Sequence, residues 1–175
     1  VEIESTARLS DSLTFTAMLG YVKGEYDEFT IMDNVTVVTG DGSLASQEVE
    51  RDLSGTEFGS GPTYSFDFGF MHVLNLGDAG EMVSSLGATY TDAISYTLSN
   101  TPSSQQPSYW LLDGRMSWMM ANDKTSLSFW VNNLLDKNYV TNMIDQAGDI
   151  QIGGIDQGLG MAASYWGEPR RYGLE

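Results

Sequence analysis

The amino-acid sequence predicts an all-β fold, an antiparallel up-and-down meander of about seven long strands. Six stretches alternate apolar and polar residues for about ten positions each, and the connections between them alternate short and long. Strands of soluble proteins usually stop near five or six residues, whereas a tilted strand needs roughly nine to eleven residues to cross a bilayer. The length and the two-residue period together predict a transmembrane β-barrel.

The first predicted hairpin joins a strand over Val1–Leu9 to a strand from Leu13 to about Tyr26, through a tight turn at residues 10–12. The second of these strands alternates most clearly, and five residues lie on its apolar side: Leu13, Phe15, Ala17, Leu19 and Tyr21. Residues 25–57 then carry nine acids against a single base, and we predict a loop there. That acidic loop has two interpretations, a surface that attracts cations and a loop that its charge keeps solvated.

Two further hairpins follow along the chain. The predicted strands of the first run over Tyr64–Leu74 and from Met82 to about Tyr96, with a turn at residues 75–80. The strands of the next run over Tyr109–Met120 and Thr125–Asn132, and a long Gly-rich loop leads to a last strand that begins near Ala162. The connections thus read short, long, short, long, short, long. Bacterial outer-membrane barrels show this asymmetry because short turns face the periplasm and long loops face outside.

Composition excludes several other classes of protein. A chain of 175 residues is long enough for one domain, and it contains no apolar run long enough for a membrane helix. Its start, Val1-Glu2-Ile3-Glu4, lacks the features of a signal peptide, so we expect an exported protein to have more chain before it. The formal charge of −16 argues against nucleic-acid partners, and the absence of cysteine excludes disulfide scaffolds and thiolate metal sites.

Charge predicts which side of the strands faces lipid. An Arg or Lys directed toward lipid at the bilayer midplane costs roughly 2–4 kcal/mol, so the charged side is expected to face the lumen. The charged residues predicted to face the lumen are Glu2, Glu4, Arg8, Asp67, Asp113 and Arg115. Lys23 and His72 break the pattern, but both lie near strand ends, where such side chains reach the headgroups. The aromatic residues predicted at the lipid interface are Tyr21, Tyr64, Tyr90 and Trp110.

The end of the chain contains two short motifs. Residues 133–139 read Asn-Leu-Leu-Asp-Lys-Asn-Tyr and residues 167–173 read Gly-Glu-Pro-Arg-Arg-Tyr-Gly. They resemble, in order, the Asn-Leu-x-Asp-x-x-Tyr and Gly-x-Pro-Arg-x-x-Gly elements near the end of the barrel of TonB-dependent outer-membrane receptors. The matching residues, to which we assign structural roles, are Asn133, Leu134, Asp136, Tyr139, Gly167, Pro169, Arg170 and Gly173. The resemblance identifies residues 1–175 as the C-terminal portion of such a barrel.

The resemblance implies an energy-coupled receptor in the outer membrane of a Gram-negative bacterium. Its ligand would be a ferric siderophore, haem, cobalamin or an oligosaccharide. Its partners would be outer-membrane lipid, the barrel-assembly machinery and the inner-membrane TonB complex, which is reached through a missing N-terminal part. The family's plug and earlier strands are expected outside this chain, and its last strand normally continues beyond Gly173-Leu174-Glu175 to a terminal aromatic residue. A plugged barrel has about 22 strands, so seven strands form part of its wall.

Other functions predict other features. A passive porin on the same wall would lack a plug, and an outer-membrane enzyme would need a clustered Ser, His and acid, which the pattern does not provide around the single histidine, His72. We therefore predict no enzyme and no catalytic, cofactor or metal site; the Gly-Asp pattern in residues 148–156 is a single imperfect copy of a calcium repeat. A soluble carbohydrate-binding β-sandwich would instead show short strands folded into two layers.

Overall fold

The structure, a computed structural model, describes residues 1–57, 61–98, 104–122, 124–145, 150–152, 155–156 and 162–175. These residues form β-strands and one short 3-10 helix, Gly77–Ala79, and no described helix is long and apolar enough to cross a membrane. In chain order the strands are β1 Glu2–Arg8, β2 Leu13–Tyr21, β3 Thr30–Val38, β4 Leu44–Asp52, β5 Tyr64–Asn75, β6 Glu81–Thr91, β7 Ile94–Ser95, β8 Gln105–Gln106, β9 Tyr109–Met119, β10 Ser126–Asn132, β11 Val140–Asp145, β12 Ile150–Ile152, β13 Ile155–Asp156, β14 Ala162–Trp166 and β15 Arg171–Leu174.

Seven strands form one antiparallel sheet, called the wall below, in the order β1-β2-β5-β6-β9-β10-β15. Each wall strand pairs with the wall strand that follows it in the chain, so the predicted all-β meander of seven strands is confirmed. The central strands are long, with 12 residues in β5 and 11 each in β6 and β9. Strands of this length suit a bilayer-spanning wall better than a soluble sheet.

The wall is a single layer. The main contacts between strands are those between hydrogen-bonded neighbours, and only Leu53 and Val140 are buried hydrophobic residues in the described chain. The chain exposes 11529 Å², whereas a compact monomer of this mass exposes about 8,400 Å². Trp110 is 40% exposed, although a sandwich would cover it with a second sheet. The two-layer sandwich is therefore wrong for this chain.

The acidic stretch is not the loop that its charge predicts. Residues 30–52 form a hairpin of β3 and β4, whose turn contains Asp41 and Gly42, the latter at φ 82°. Its β-branched residues favour strand, while acids at every second position of β4 lie on one exposed face of the ribbon. Charge density obscured this alternation in the sequence.

The last wall strand also differs from the prediction. The strand that begins at Ala162 is β14, which pairs with β11 in a separate two-stranded sheet, and the seventh wall strand is β15. Between them lies Pro169, which has no N–H to donate to a ladder. β2 and β6 end at Tyr21 and Thr91, earlier than predicted; after β6 the chain turns where the Asp92 side chain accepts the Ala93 N–H at 2.8 Å.

Candidate functional site

The register separates the wall into two faces, because directly opposed residues of an antiparallel pair share a face. The face that contains Phe68, called the apolar face, also carries Ile3, Ala7, Leu13, Phe15, Ala17, Leu19, Tyr21, Tyr64, Phe66, Phe70, Leu74, Met82, Leu86, Ala88, Tyr90, Trp110, Leu112, Met116, Trp118, Leu127, Phe129, Val131, Tyr172 and Leu174. Across the wall strands as described, this face has no Asp, Glu, Lys or Arg. Its one imidazole belongs to His72, which lies opposite Leu13 and Ser84.

The four aromatic residues predicted at the interface lie on the apolar face in one continuous band. Ring centroids of Tyr21 and Tyr64 are 5.1 Å apart, and those of Tyr90 and Trp110 are also 5.1 Å apart. Phe66 joins the two pairs, at 6.5 Å from Tyr64 and 5.5 Å from Tyr90. The band crosses four strands at the end from which the long connections leave. This is the arrangement of an aromatic girdle, although its contact with lipid stays a prediction.

All six residues predicted to face the lumen lie together on the opposite, polar face: Glu2, Glu4, Arg8, Asp67, Asp113 and Arg115. The Asp67 carboxylate accepts a hydrogen bond from Thr89 Oγ1 at 2.6 Å. The Arg115 guanidinium donates to Glu175 at 2.8 Å. A hollow of about 700 Å³ lies over this face, with Gly69 and Gly87 directly opposed in its floor. The polar face therefore offers both charge and space, while the apolar face of the described wall strands carries no Asp, Glu, Lys or Arg.

The motif residue Asn133 fastens the last hairpin to the long connection that follows it. It is 4% exposed and adopts φ 51°, a left-handed conformation that asparagine tolerates better than most residues. Its side chain donates to the carbonyls of Lys137 at 2.9 Å and Glu168 at 3.0 Å, and it accepts the Lys137 N–H at 2.8 Å. Its own N–H donates to Asp113 Oδ1 at 2.8 Å. One side chain thus ties together both ends of the connection.

The other motif residues complete this fastening, which we call the clasp, formed by residues 133–139 and 167–170. Asp136, at φ 52°, accepts the Arg170 N–H at 3.0 Å, and the Arg170 guanidinium donates to the Leu134 carbonyl at 3.3 Å. Gly167 lies so close to the Tyr139 ring that a Cβ there would overlap it. The Tyr139 ring in turn stacks on Tyr109 at 4.8 Å.

The two remaining motif residues lie beside the clasp. Pro169 lies in the segment between β14 and β15. Gly173 lies against the indole of Trp130 on the polar face. In the described structure the motif residues contact one another and the neighbouring strands.

A second set of contacts fastens two connections together, and the sequence pattern did not reveal it. The Val140 N–H donates to Gln106 Oε1 at 2.8 Å, and the Val140 carbonyl accepts from the Tyr96 hydroxyl at 2.6 Å. Both Val140 and Gln106 are 6% exposed. A tyrosine hydroxyl is protonated at neutral pH and can donate, and burial raises the pKa of Tyr96 further. A Gln in a Ser- and Pro-rich connection carries no signal that would have identified this role.

Candidate ligand-binding chemistry is sparse in the described residues. They contain no group of three or more His, Cys, Asp or Glu side chains that could hold a metal ion. The Lys23 ammonium lies 2.6 Å from Glu25 and 3.8 Å from Glu57 at the base of the acidic hairpin, and Glu25 raises its pKa. The Gly-Asp pattern of residues 148–156 falls largely outside the described residues.

Solved structures show which known fold this wall matches. No family model and no curated protein matches the sequence. The ferric yersiniabactin uptake receptor FyuA from Yersinia pestis matches with a TM-score of 0.65 at 15% identity, over 99% of this chain and 22% of that one. The chain has the fold of a siderophore-receptor wall segment.

Two other solved receptors give the same result. The siderophore receptor PiuA from Acinetobacter baumannii matches with a TM-score of 0.60 at 18% identity. The ferripyoverdine receptor of the outer membrane of Pseudomonas aeruginosa matches with 0.54 at 20% identity. These matches cover 99% of this chain but only 20% and 18% of those receptors. The chain therefore spans about a fifth of the length of the receptors that it matches, and the likeness is one of fold.

Proposed function

We propose that this chain is part of the outer-membrane barrel wall of a TonB-dependent receptor that takes up ferric siderophores. The observation that carries the proposal is the division of the wall into an apolar face without charged side chains and a polar face that holds the charges. A water-exposed sheet would have no reason to keep charge off one whole face across seven strands. Hydrocarbon supplies that reason, because a cationic side chain at the bilayer midplane costs roughly 2–4 kcal/mol.

The ligand class is proposed from the similar receptors. FyuA, PiuA and the ferripyoverdine receptor are all named for siderophores or their ferric complexes. We therefore favour a ferric siderophore over haem, cobalamin or an oligosaccharide. The polar face and the long connections would line the route and its outer mouth, while the plug and the segment that engages TonB would come from parts of the protein outside this chain.

The proposal gives the wall a role in transport and none in catalysis. His72, the single histidine, lies on the apolar face, between Leu13 and Ser84. There it suits the lipid interface better than general-base chemistry. Outer-membrane lipid and the barrel-assembly machinery are the further partners that this role requires, since long strands of this kind fold only within a closed barrel.

The test uses the full-length protein in a Gram-negative host whose own siderophore receptors are deleted. We expect radioactive iron to accumulate from at least one siderophore in a panel of ferric catecholates, hydroxamates and mixed chelates. Accumulation should disappear when the host's TonB is deleted, and the folded protein should migrate faster on a gel before heating than after. TonB-independent leakage would favour a porin. Accumulation of haem or cobalamin, but of no siderophore, would overturn the ligand class and leave the barrel assignment intact.

A further inference from the structure

We propose that the outer edge of β4 is a docking site for an extended, basic segment of another protein, which pairs with it as an added strand. In the described chain β4 is the last strand of its sheet, whose order is β13-β12-β3-β4, and no described strand pairs with its other side. The proposal concerns a surface outside the wall. It does not depend on the ligand or on the energy source of the transporter.

The register shows which backbone groups this edge presents. The Leu53 N–H bonds the Phe29 carbonyl at 2.7 Å, and the Thr39 N–H bonds the Ser43 carbonyl at 2.8 Å, so odd-numbered residues make the ladder between the two strands. Bonded and non-bonded pairs alternate in an antiparallel ladder. The even-numbered residues of β4 therefore direct their N–H and C=O groups outward: Leu44, Ser46, Glu48, Glu50 and Asp52. Nine residues of strand give an edge about 30 Å long.

The same residues put a row of carboxylates beside that edge. Glu48, Glu50 and Asp52 follow one another at every second position, so they share one face, and all three are exposed. The single basic residue of the hairpin, Arg51, lies on the other face, where its guanidinium donates to the Asp33 carboxylate at 3.0 Å. No basic side chain of the hairpin shares the acidic face, whose charge is therefore available to a partner strand.

Open edges of this length are normally blocked, because they pair with other chains. β4 contains no proline and no lysine, the two common blocking residues. Its acidic residues instead disfavour pairing with a second β4 edge and favour pairing with a basic strand. Full-length antiparallel pairing of two β4 edges would bring the two copies of Glu48 directly opposite each other, and like charges in that position are destabilising. A strand with Lys or Arg at alternate positions would meet the carboxylates pair by pair, and its backbone would complete the ladder.

The binding experiment uses full-length protein in detergent micelles and a fluorescent nine-residue peptide that alternates lysine and threonine. We expect the peptide to bind at low salt and its affinity to fall steeply as the salt concentration rises. The key control is the same peptide methylated at the backbone nitrogens of its lysines, which keeps every charge but removes the donors that face β4. We expect at least tenfold weaker binding of that control. Equal binding of both peptides would show attraction by charge alone and would overturn the proposal.

Two charge variants test the location. E48Q/E50Q removes two carboxylates from the acidic face, and the matched control D27N/E28Q removes two exposed carboxylates from the segment that leads into β3. An exposed ion pair contributes only a modest free energy. We therefore expect E48Q/E50Q to weaken peptide binding about fivefold and D27N/E28Q to change it less than twofold. Equal effects of the two variants, or no peptide binding at low salt, would overturn the proposal.

A third variant tests the edge without changing charge. Ser46→Pro removes one outward N–H that the bond to β3 does not use, so we expect peptide binding to weaken while iron uptake stays unchanged. Sedimentation of the protein without peptide tests whether a second copy of this chain occupies the edge instead. Self-association that Ser46→Pro abolishes would show that the edge serves a second copy of this chain and would overturn the assignment to a basic partner.

Discussion

Adjacent residues on one strand provide the sharpest test of which face meets hydrocarbon. Ala17 and Thr16 lie at the centre of β2, where Ala17 opposes Phe68 on the apolar face and Thr16 opposes Gly69 on the polar face. An arginine at either position adds the same charge at the same depth. At the midplane, Ala17→Arg should lower the free energy of unfolding by about 2–4 kcal/mol. That loss corresponds to a decrease of about 30- to 700-fold in the folding equilibrium constant. Thr16→Arg should cost much less, because its guanidinium enters the polar hollow.

The assay is reversible folding of the full-length protein into phospholipid vesicles, followed by tryptophan fluorescence as urea is varied. The difference between the two arginine variants is the quantity of interest, since it cancels the intrinsic cost of a longer side chain. Ala17→Lys and Thr16→Lys give an independent pair. Equal losses for the two positions, or a loss below about 1 kcal/mol for Ala17→Arg, would show that lipid does not cover the apolar face. The receptor assignment would then fail with it.

Three further predictions concern the connections. Gly167→Ala should destabilise the clasp by about 1–3 kcal/mol, because the added methyl group overlaps the Tyr139 ring, and limited proteolysis should detect the looser connection. Asn133→Ala should cost about 1–3 kcal/mol in urea unfolding, and Asn133→Gly should recover only the part due to its positive φ. Hydrogen bonds from Thr39 and Ser43 hold the pKa of Asp41 well below its ordinary 3.8, so this turn is stabilised above about pH 4 and loosens as pH falls through the lower folded value. The Ser43 amide resonance should report that change, and Asp41→Asn should remove it.

The wall was predictable because each strand experiences the same two environments along its whole length. Leu13, Phe15 and Ala17 could be assigned to one face from the sequence alone, and the register places all three there. The hairpin β3–β4 escaped prediction because its environment is water on the acidic side, so hydrophobicity did not mark the strands. Here alternation was carried by charge: Glu48 and Glu50 flank Val49, and only the pairing with β3 makes the period visible.

The connections could not be predicted for a different reason. The contacts that fix Val140 come from Gln106 and Tyr96, which lie 34 and 44 residues away in the chain. No local period encodes such a contact. The clasp was recognised only as a resemblance, and its chemistry, including the left-handed Asn133 and the close approach of Gly167 to Tyr139, required coordinates. Sequence patterns report environment, whereas these contacts depend on where separate segments meet.

The two edges of the wall explain why such a sheet needs a closed barrel around it. The Val1 carbonyl accepts from the Tyr21 N–H, so odd-numbered residues of β1 bond to β2, and four even-numbered residues direct their backbone groups away from the described chain. At the other edge, the backbone groups of Ser128 and Glu175 bond each other. The backbone N–H and C=O groups of Tyr172 and Leu174 therefore point away from β10. In hydrocarbon each unpaired backbone group costs several kcal/mol. A segment with almost no buried apolar residues has nothing to offset that cost. Under the proposed function, its stability in a bilayer would come from further strands that pair with β1 and β15, and the unit that folds would be the whole barrel.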